Sequence, residues 1–233
     1  MKKSRLLVLL PLVIPALTGC FNHTTTTLVL VRMAETEGEV QNIVGRPGEI
    51  TDLGKQHAIA LGKSFSSLYH FDQRYYRTFY TTHAILENME NQEIIEGADL
   101  GMYPNMVLGP NYGAAYGMSK EEATAQYGGV EFPTDFGGFY DIDYTPGFTS
   151  QNTYKWRSTF ELSLHDIANN QDAKGKTILV EAPPETLYWA QFRFPKANLT
   201  AFESCGYAEL EFDELSFESV KLKKWVGESP TIE

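Results

Sequence analysis

A short apolar run, Leu-Val-Leu-Val at residues 28–31, constrains the fold of this chain more than any other segment. It lies between four threonines and Arg32, and an uninterrupted apolar run of this length is typical of a strand buried on both faces. Residues 52–68 then show the three- and four-residue apolar spacing of an amphipathic helix, at Leu53, His57/Ala58, Leu61 and Phe65. A buried strand followed by a loop and a helix predicts an α/β fold.

The rest of the chain continues this alternation. We predict further strands at residues 77–82 and 177–180, edge strands at 208–212 and 219–225, and helices at 84–96, 119–127, 153–169 and 185–193. Ser119 and Glu122 have the spacing of a helix capping box. Strands that alternate with helices indicate a mostly parallel sheet covered by helices on both faces.

Residues 97–153 break the pattern, because they are irregular and rich in Gly, Pro, Asn and aromatic residues. So long an irregular segment is uncommon in a domain unless it forms a lid or a binding loop. Its aromatic side chains either anchor a partner or fill a second small core. They are Tyr103, Tyr112, Tyr116, Tyr127, Phe132, Phe136, Phe139, Tyr140, Tyr144 and Phe148. Asp135, Asp141 and Asp143 do not match calcium-loop spacing and are interpreted as solvated carboxylates.

Length and charge limit the possible classes of protein. A chain of 233 residues supports one well-filled domain, which we place at residues 28–233. The net charge of −11 includes the cations Lys2, Lys3 and Arg5, so the remaining chain has 30 acidic and 19 − 3 = 16 basic residues, or −14. This charge argues against nucleic acid as a partner.

The first 19 residues have the order of a bacterial lipoprotein signal peptide. A basic start is followed by an apolar stretch and by Leu-Thr-Gly before Cys20. This ending resembles a lipobox, which implies that Cys20 is acylated and that residues 20–27 form a short tether. The alternative is an ordinary secretory leader with an incidental cysteine. Phe21, rather than aspartate, favours the outer membrane, with the domain facing the periplasm or the cell surface.

Cysteine content fits this compartment. With Cys20 carrying lipid, Cys205 is the one remaining thiol, so no intrachain disulfide forms. We predict that Cys205 is a small buried core residue, with a reactive thiol as the alternative.

Three segments carry a resemblance to a known family: residues 28–37, residues 45–47 (Gly-Arg-Pro) and residues 50–58 (Ile-Thr-Asp-Leu-Gly-Lys-Gln-His-Ala). They resemble the start of the histidine phosphatase (phosphoglycerate mutase-like) superfamily, where the strand ends in Arg-His-Gly-Glu-Thr. Arg157 and residues 175–180 carry a second, later resemblance. The resemblance implies a site in which one histidine accepts a phosphoryl group, while two arginines and a second histidine hold the phosphate.

The first motif keeps its arginine and lacks its nucleophile. Arg32 occupies the place of the first arginine, where it either holds an oxyanion or forms a salt bridge with Glu35 or another framework residue. Met33 stands in the place of the phosphorylated histidine, and its thioether cannot form a phosphoryl intermediate.

The other positions of the resembled site have also changed. Glu39 replaces an asparagine, and its carboxylate either faces the phosphate position or points to solvent. Leu86 replaces the second arginine, and Tyr116 replaces the acid of the insertion. Ala182 replaces the second histidine, and Glu181 adds a negative charge beside it. The sequence therefore predicts no catalytic residues and a remnant pocket formed by Arg32, Met33, Glu35, Glu39, Leu86, Tyr116, Glu181 and Ala182.

No motif for another chemistry replaces the lost site. The chain has no nucleophile elbow, no phosphate-binding loop with lysine and no zinc-protease motif, so we predict no metal and no cofactor. His57, His70 and His165 are interpreted as surface or satisfied histidines, and His83 as a histidine at a helix start.

Three functions follow from these observations. The first is an envelope lipoprotein with an inactive domain that binds an envelope protein or a glycan. The second is a residual or altered hydrolase that uses Arg32 with a base such as Glu35, Glu39 or His83. The third is a structural envelope protein that needs only a folded head on its lipid anchor.

Overall fold

The computed structural model describes ten segments and one isolated residue of the chain: residues 25–43, 48–76, 79–92, 102–104, 117–127, 164–167, 173–183, 190, 193–194, 202–212 and 219–232. The strands are β1 Thr26–Arg32, β2 Gln73–Tyr76, β3 Met102–Pro104, β4 Thr177–Ala182, β5 Tyr207–Phe212 and β6 Lys221–Val226. The helices are α1 Glu37–Val40, α2 Asp52–Phe65, α3 Phe79–Glu87 and α4 Lys120–Tyr127. Cys20, most of the predicted insertion and most of the predicted helix at 185–193 lie outside the described residues.

The six strands form one sheet in the order β3-β2-β4-β1-β5-β6. The pairs β1–β4, β2–β4 and β2–β3 are parallel, whereas β1–β5 and β5–β6 are antiparallel. The predicted α/β class is therefore confirmed. The predicted parallel sheet is confirmed in part, because three of the five strand pairs are parallel and the two antiparallel pairs lie along one side. The prediction that residues 208–212 form an edge strand is wrong, because β5 pairs with β1 as well as with β6.

β1 is the central strand that its apolar run predicts. Leu28 and Leu30 pack into one core cluster, and Val29 and Val31 pack into another on the opposite face of the sheet. The second of these clusters contains buried side chains of α2 and α3. The carboxyl end of β1 therefore leads directly from a core buried on both faces to the loop at residues 33–35.

α2 begins at Asp52 as predicted and ends at Phe65, three residues early. Thr51 caps it, since its hydroxyl oxygen accepts from the Gly54 nitrogen at 3.0 Å. The buried positions are Gly54, Ala58, Leu61, Gly62 and Phe65. Leu53, which the apolar spacing assigned to the buried face, is instead 45% exposed.

The second strand and the helix after it lie earlier in the chain than predicted. β2 ends at Tyr76, and residues predicted as strand at 79–82 belong to α3. Thr81 and Thr82 gave the segment its β-like composition. Both are fully buried. The Thr81 hydroxyl oxygen accepts from the Ala34 nitrogen in the loop after β1, and the Thr82 nitrogen donates to the Glu181 carboxylate in β4. Tertiary contacts therefore override local propensity here.

The later elements are described in part. α4 has the predicted capping box, in which Ser119 and Glu122 bond to each other through backbone and side-chain atoms. Of the helix predicted at 153–169, residues 164–167 are described, and they are helical. No helix within the described segments is long and apolar enough to cross a membrane.

Candidate remnant site

The loop that follows β1 lies beside the end of β4. Arg32 and Ala182 are partners in the parallel register, and the Met33 nitrogen donates to the Ala182 oxygen at 2.8 Å. The two segments that sequence motifs single out are therefore brought together, at the carboxyl ends of adjacent parallel strands. This is where ligands bind in open α/β sheets.

Arg32 forms an ion pair with Glu39. Its Nη2 donates to Glu39 Oε1 at 2.8 Å, and its Nη1 donates to the Met33 carbonyl oxygen at 3.2 Å. The Arg32 side chain is only 14% exposed. Of the two interpretations of Arg32, the structure shows the framework salt bridge, and its partner is Glu39 rather than Glu35.

Glu39 is held by two interactions at once. Besides binding Arg32, its carboxylate accepts from the Thr36 nitrogen at 3.1 Å, while the Thr36 hydroxyl oxygen accepts from the Glu39 nitrogen at 3.3 Å. These two bonds form a capping box at the start of α1. The alternative in which Glu39 simply points to solvent is therefore wrong. Its carboxylate neutralises the positive charge of Arg32, which a bound anion would need.

The backbone amides of the loop are also engaged. An oxyanion site needs N–H groups that are free to donate to the ligand. Five consecutive amides at residues 32–36 all donate to acceptors within the protein. The acceptors are the carbonyl oxygens of Gly206 and Ala182, the hydroxyl oxygens of Thr81 and Ser204, and the carboxylate of Glu39.

Glu35 holds the loop to α2. Its carboxylate accepts from the Thr51 hydroxyl at 2.7 Å, and its carbonyl oxygen accepts from the Thr51 nitrogen at 3.0 Å. Gly54 packs so closely on the Glu35 backbone that a Cβ at that position would lie 3.0 Å from the Glu35 nitrogen and nearer still to the carbonyl oxygen. Glu35 therefore has a structural role that a general base would have to give up.

The Glu181 side chain, which extends from β4, contacts the first part of α3. It is fully buried at the end of β4, and its carboxylate accepts from the Thr82 nitrogen at 2.9 Å. A helix start is a favourable place for a negative charge, because its first N–H groups lack intrahelical acceptors. A second internal carboxylate thus takes a position that would suit a bound anion.

Cys205 lies among these charged groups. Burial raises the pKa of its thiol to about 12, Arg32 and a hydrogen bond with Ser204 oppose that rise, and Glu181 and Glu39 add to it. The predicted buried cysteine is confirmed. Burial therefore disfavours the thiolate, which is the nucleophilic form of cysteine.

The other described residues of the remnant site are buried apolar side chains. Met33 is 5% exposed, and Leu86 and Ala182 are fully buried. Leu86 packs in the cluster that contains Ala34 and Ile85, whereas Ala182 belongs to the cluster on the other face of the sheet. Tyr116 lies outside the described residues, as do Asp135, Asp141 and Asp143.

The histidines do not assemble a replacement site in the described segments. His83 Nε2 lies 2.8 Å from Glu87 on the same helix, His70 Nδ1 lies 3.3 Å from the Asn91 oxygen, and His165 lies 3.7 Å from Asp166. His57 is partly exposed, and its Nδ1 has no hydrogen-bond partner among the described residues, so of the two predicted roles, surface or satisfied, it does not fill the second. The described part of the chain contains no group of three side chains suited to a metal ion.

A separate groove of about 870 Å³ lies between α2 and the C-terminal residues 226–232. Its lining includes Ile59, Lys63, Tyr207 and Ile232. Sequence reasoning did not identify this groove, and it also missed Thr81 and Ser204 as acceptors for the loop amides. Thr81 and Ser204 are 47 and 169 residues from their partners, so no local motif marks them.

The fold is that of known phosphoglycerate mutase-like proteins. A phosphoglycerate mutase from Bacillus anthracis superposes with a TM-score of 0.63 at 14% identity, over 88% of this chain and 94% of the other. A mycobacterial glucosyl-3-phosphoglycerate phosphatase in complex with VO3 gives a TM-score of 0.60 at 13% identity, over 87% of this chain and 100% of the other.

Bacillus stearothermophilus YhfR gives a TM-score of 0.59 at 18% identity, over 84% of this chain and 95% of its own. No family model matches the sequence. No curated protein matches it either. The similarity therefore lies in the fold, and any activity has to be inferred from the site.

Proposed function

We propose that this phosphoglycerate mutase-like domain is the head of a bacterial envelope lipoprotein, lacks histidine phosphatase activity and serves in binding or scaffolding. The observation that supports inactivity most directly is the ion pair between Arg32 and Glu39. A phosphate dianion would have to displace a carboxylate that is held both by that pair and by the α1 cap. With Met33 at the nucleophile's place, the described residues of the remnant site supply no attacking histidine, and the Arg32 guanidinium is already bonded to Glu39 and to the Met33 carbonyl oxygen.

The same contacts argue against an altered hydrolase. Each base considered for it has another partner: Glu35 bonds to Thr51, Glu39 to Arg32 and His83 to Glu87. A general base needs a free lone pair within reach of the group that it deprotonates. Glu35 and Glu39 would weaken these contacts on taking up a proton, so the loop geometry opposes their use as bases.

Exposed apolar side chains around the remnant site support a binding role. Val40 in α1, Leu53 in the first turn of α2 and Tyr80 in the first turn of α3 are 61%, 45% and 51% exposed. They adjoin residues that contact the loop, since Glu39 binds Arg32, Thr51 binds Glu35 and Thr81 binds Ala34. We call Val40, Leu53 and Tyr80 the helix-start surface. We propose that these three side chains, which belong to the end of the sheet where the remnant site lies, take part in binding.

The lipid anchor is proposed from the Leu-Thr-Gly-Cys20 sequence and is tested by metabolic labelling with radioactive palmitate. We expect the wild-type protein to take up label and to sediment with membranes, because two or more acyl chains hold a protein firmly in a bilayer. Cys20→Ala should remove the label and leave the leader uncleaved.

Cys205→Ala is the matched control, since it removes the other cysteine of the chain and should leave labelling unchanged. Palmitate incorporation that survives Cys20→Ala would contradict the proposed anchor.

A further inference from the structure

The domain attaches to its proposed anchor through the middle of one end of the sheet. β1 begins at Thr26 and has strands on both sides, β4 and β5. At this end Thr26 contacts the turn before β4, because its hydroxyl bonds to the Ala173 oxygen at 3.3 Å and accepts from the Gly175 nitrogen at 3.1 Å. Lys174 and Gly175 in this turn are exposed. The turn at residues 173–176 therefore marks the tethered end.

The helix-start surface lies at the opposite end of the sheet. β1 is seven residues long, so its carboxyl end is about 20 Å from its amino end. α1, α2 and α3 all contact the carboxyl end of β1 or β4 near their first residues, through Glu39, Thr51, Thr81 and Thr82. The strand direction thus separates Lys174 from Val40 along the length of the sheet.

The tether is too short to let the domain invert. Cys20 and Thr25 are 25 − 20 = 5 residues apart, which gives a reach of at most about 18 Å. A domain of about 200 residues has a radius of gyration near 17 Å, so it is about 40 Å across. Because the tether leaves from the middle of one end, turning the other end to the bilayer would need a reach comparable to the whole domain.

We infer that the anchored protein holds the turn at residues 173–176 toward the bilayer and the helix-start surface away from it. This orientation rests on the proposed lipid anchor, and it adds the direction in which the domain faces. Lipid cannot reach Val40, Leu53 and Tyr80 in this arrangement. The helix-start surface therefore faces the aqueous compartment of the envelope.

Contact quenching of a fluorophore by a lipid with a nitroxide headgroup tests the orientation. Lys174→Cys and Val40→Cys place one reactive thiol at each end of the sheet in the purified, full mature lipoprotein, and both native residues are exposed. The labelled variants are added to vesicles of phosphatidylethanolamine and phosphatidylglycerol that contain the nitroxide lipid. Since the two positions are separated by about the 20 Å length of β1, we expect quenching to be at least about threefold stronger at position 174 than at position 40.

Wild-type protein is the labelling control, because Cys205 is buried and an acylated Cys20 has no free thiol. Equal quenching at both positions, or stronger quenching at position 40, in protein that floats with the vesicles would overturn the orientation alone. Protein that reacts at Cys20 and fails to float would refute the anchor, and the orientation with it.

Discussion

The Glu39→Gln variant is expected to bind inorganic phosphate or vanadate at least tenfold more tightly than the wild-type protein. Glutamine keeps an oxygen that accepts from the Thr36 nitrogen, so the α1 cap survives, but it removes the negative charge that compensates Arg32. Loss of the partly buried pair should lower the free energy of unfolding by about 1–2 kcal/mol, between the values for exposed and fully buried pairs. The folded variant then presents an uncompensated guanidinium.

Thermal unfolding with increasing phosphate or vanadate measures this change. An anion at about 100 times its dissociation constant stabilises the folded state by about 2.7 kcal/mol. Glu37→Gln is the matched control, because it changes the net charge equally on the same helix and Glu37 is exposed. An equal response of the two variants would mean that general charge, rather than release of Arg32, governs anion binding. The double variant Arg32→Ala with Glu39→Gln should lose the response.

Gly54→Ala is expected to lower the free energy of unfolding by about 2–3 kcal/mol. The added methyl group would meet the Glu35 backbone, which is held in place because its carbonyl oxygen accepts from the Thr51 nitrogen and its own nitrogen donates to the Ser204 hydroxyl. Backbone atoms cannot swing away as the end of a flexible side chain can, so α2 or the loop must shift. The substitution removes helix-destabilising glycine as well, which offsets the loss by up to about 1 kcal/mol.

Urea unfolding of the soluble protein, residues 21–233, measures the effect. Lys55→Ala is the control, since Lys55 is the next residue of α2 and is exposed, and its effect should stay within about 0.5 kcal/mol. A Gly54→Ala transition that coincides with that of Lys55→Ala would show that the close approach of α2 to the loop is not required.

Local sequence patterns correctly predict β1 and the capping box of α4. Burial on both faces produces a continuous apolar run, and a capping box produces a fixed spacing of two polar residues, so both features are visible in a short stretch of sequence. β2 and α3 were placed too late in the chain, because the buried Thr81 and Thr82 make tertiary contacts that no local window contains.

The sequence predicts which family residues are replaced in the remnant site, but it does not predict which side chains contact each other there. Aligned motifs placed Met33 and Ala182, and the structure brings their segments together. The partner of Arg32 has a local signal in the sequence, because Thr36 and Glu39 have the spacing of a capping box, which turns the Glu39 side chain toward the loop. Ser204, by contrast, reaches the loop across 169 residues, and only the fold reveals it.

The most direct test of inactivity is an assay of purified residues 21–233 against a panel of phosphate esters, with Arg32→Ala in parallel. Met33 stands in the place of the nucleophile, and Arg32 is held in an ion pair with Glu39. We therefore expect the wild-type protein and the variant to release phosphate no faster than buffer alone. Turnover above buffer that Arg32→Ala abolishes would contradict the proposal that the site is inactive.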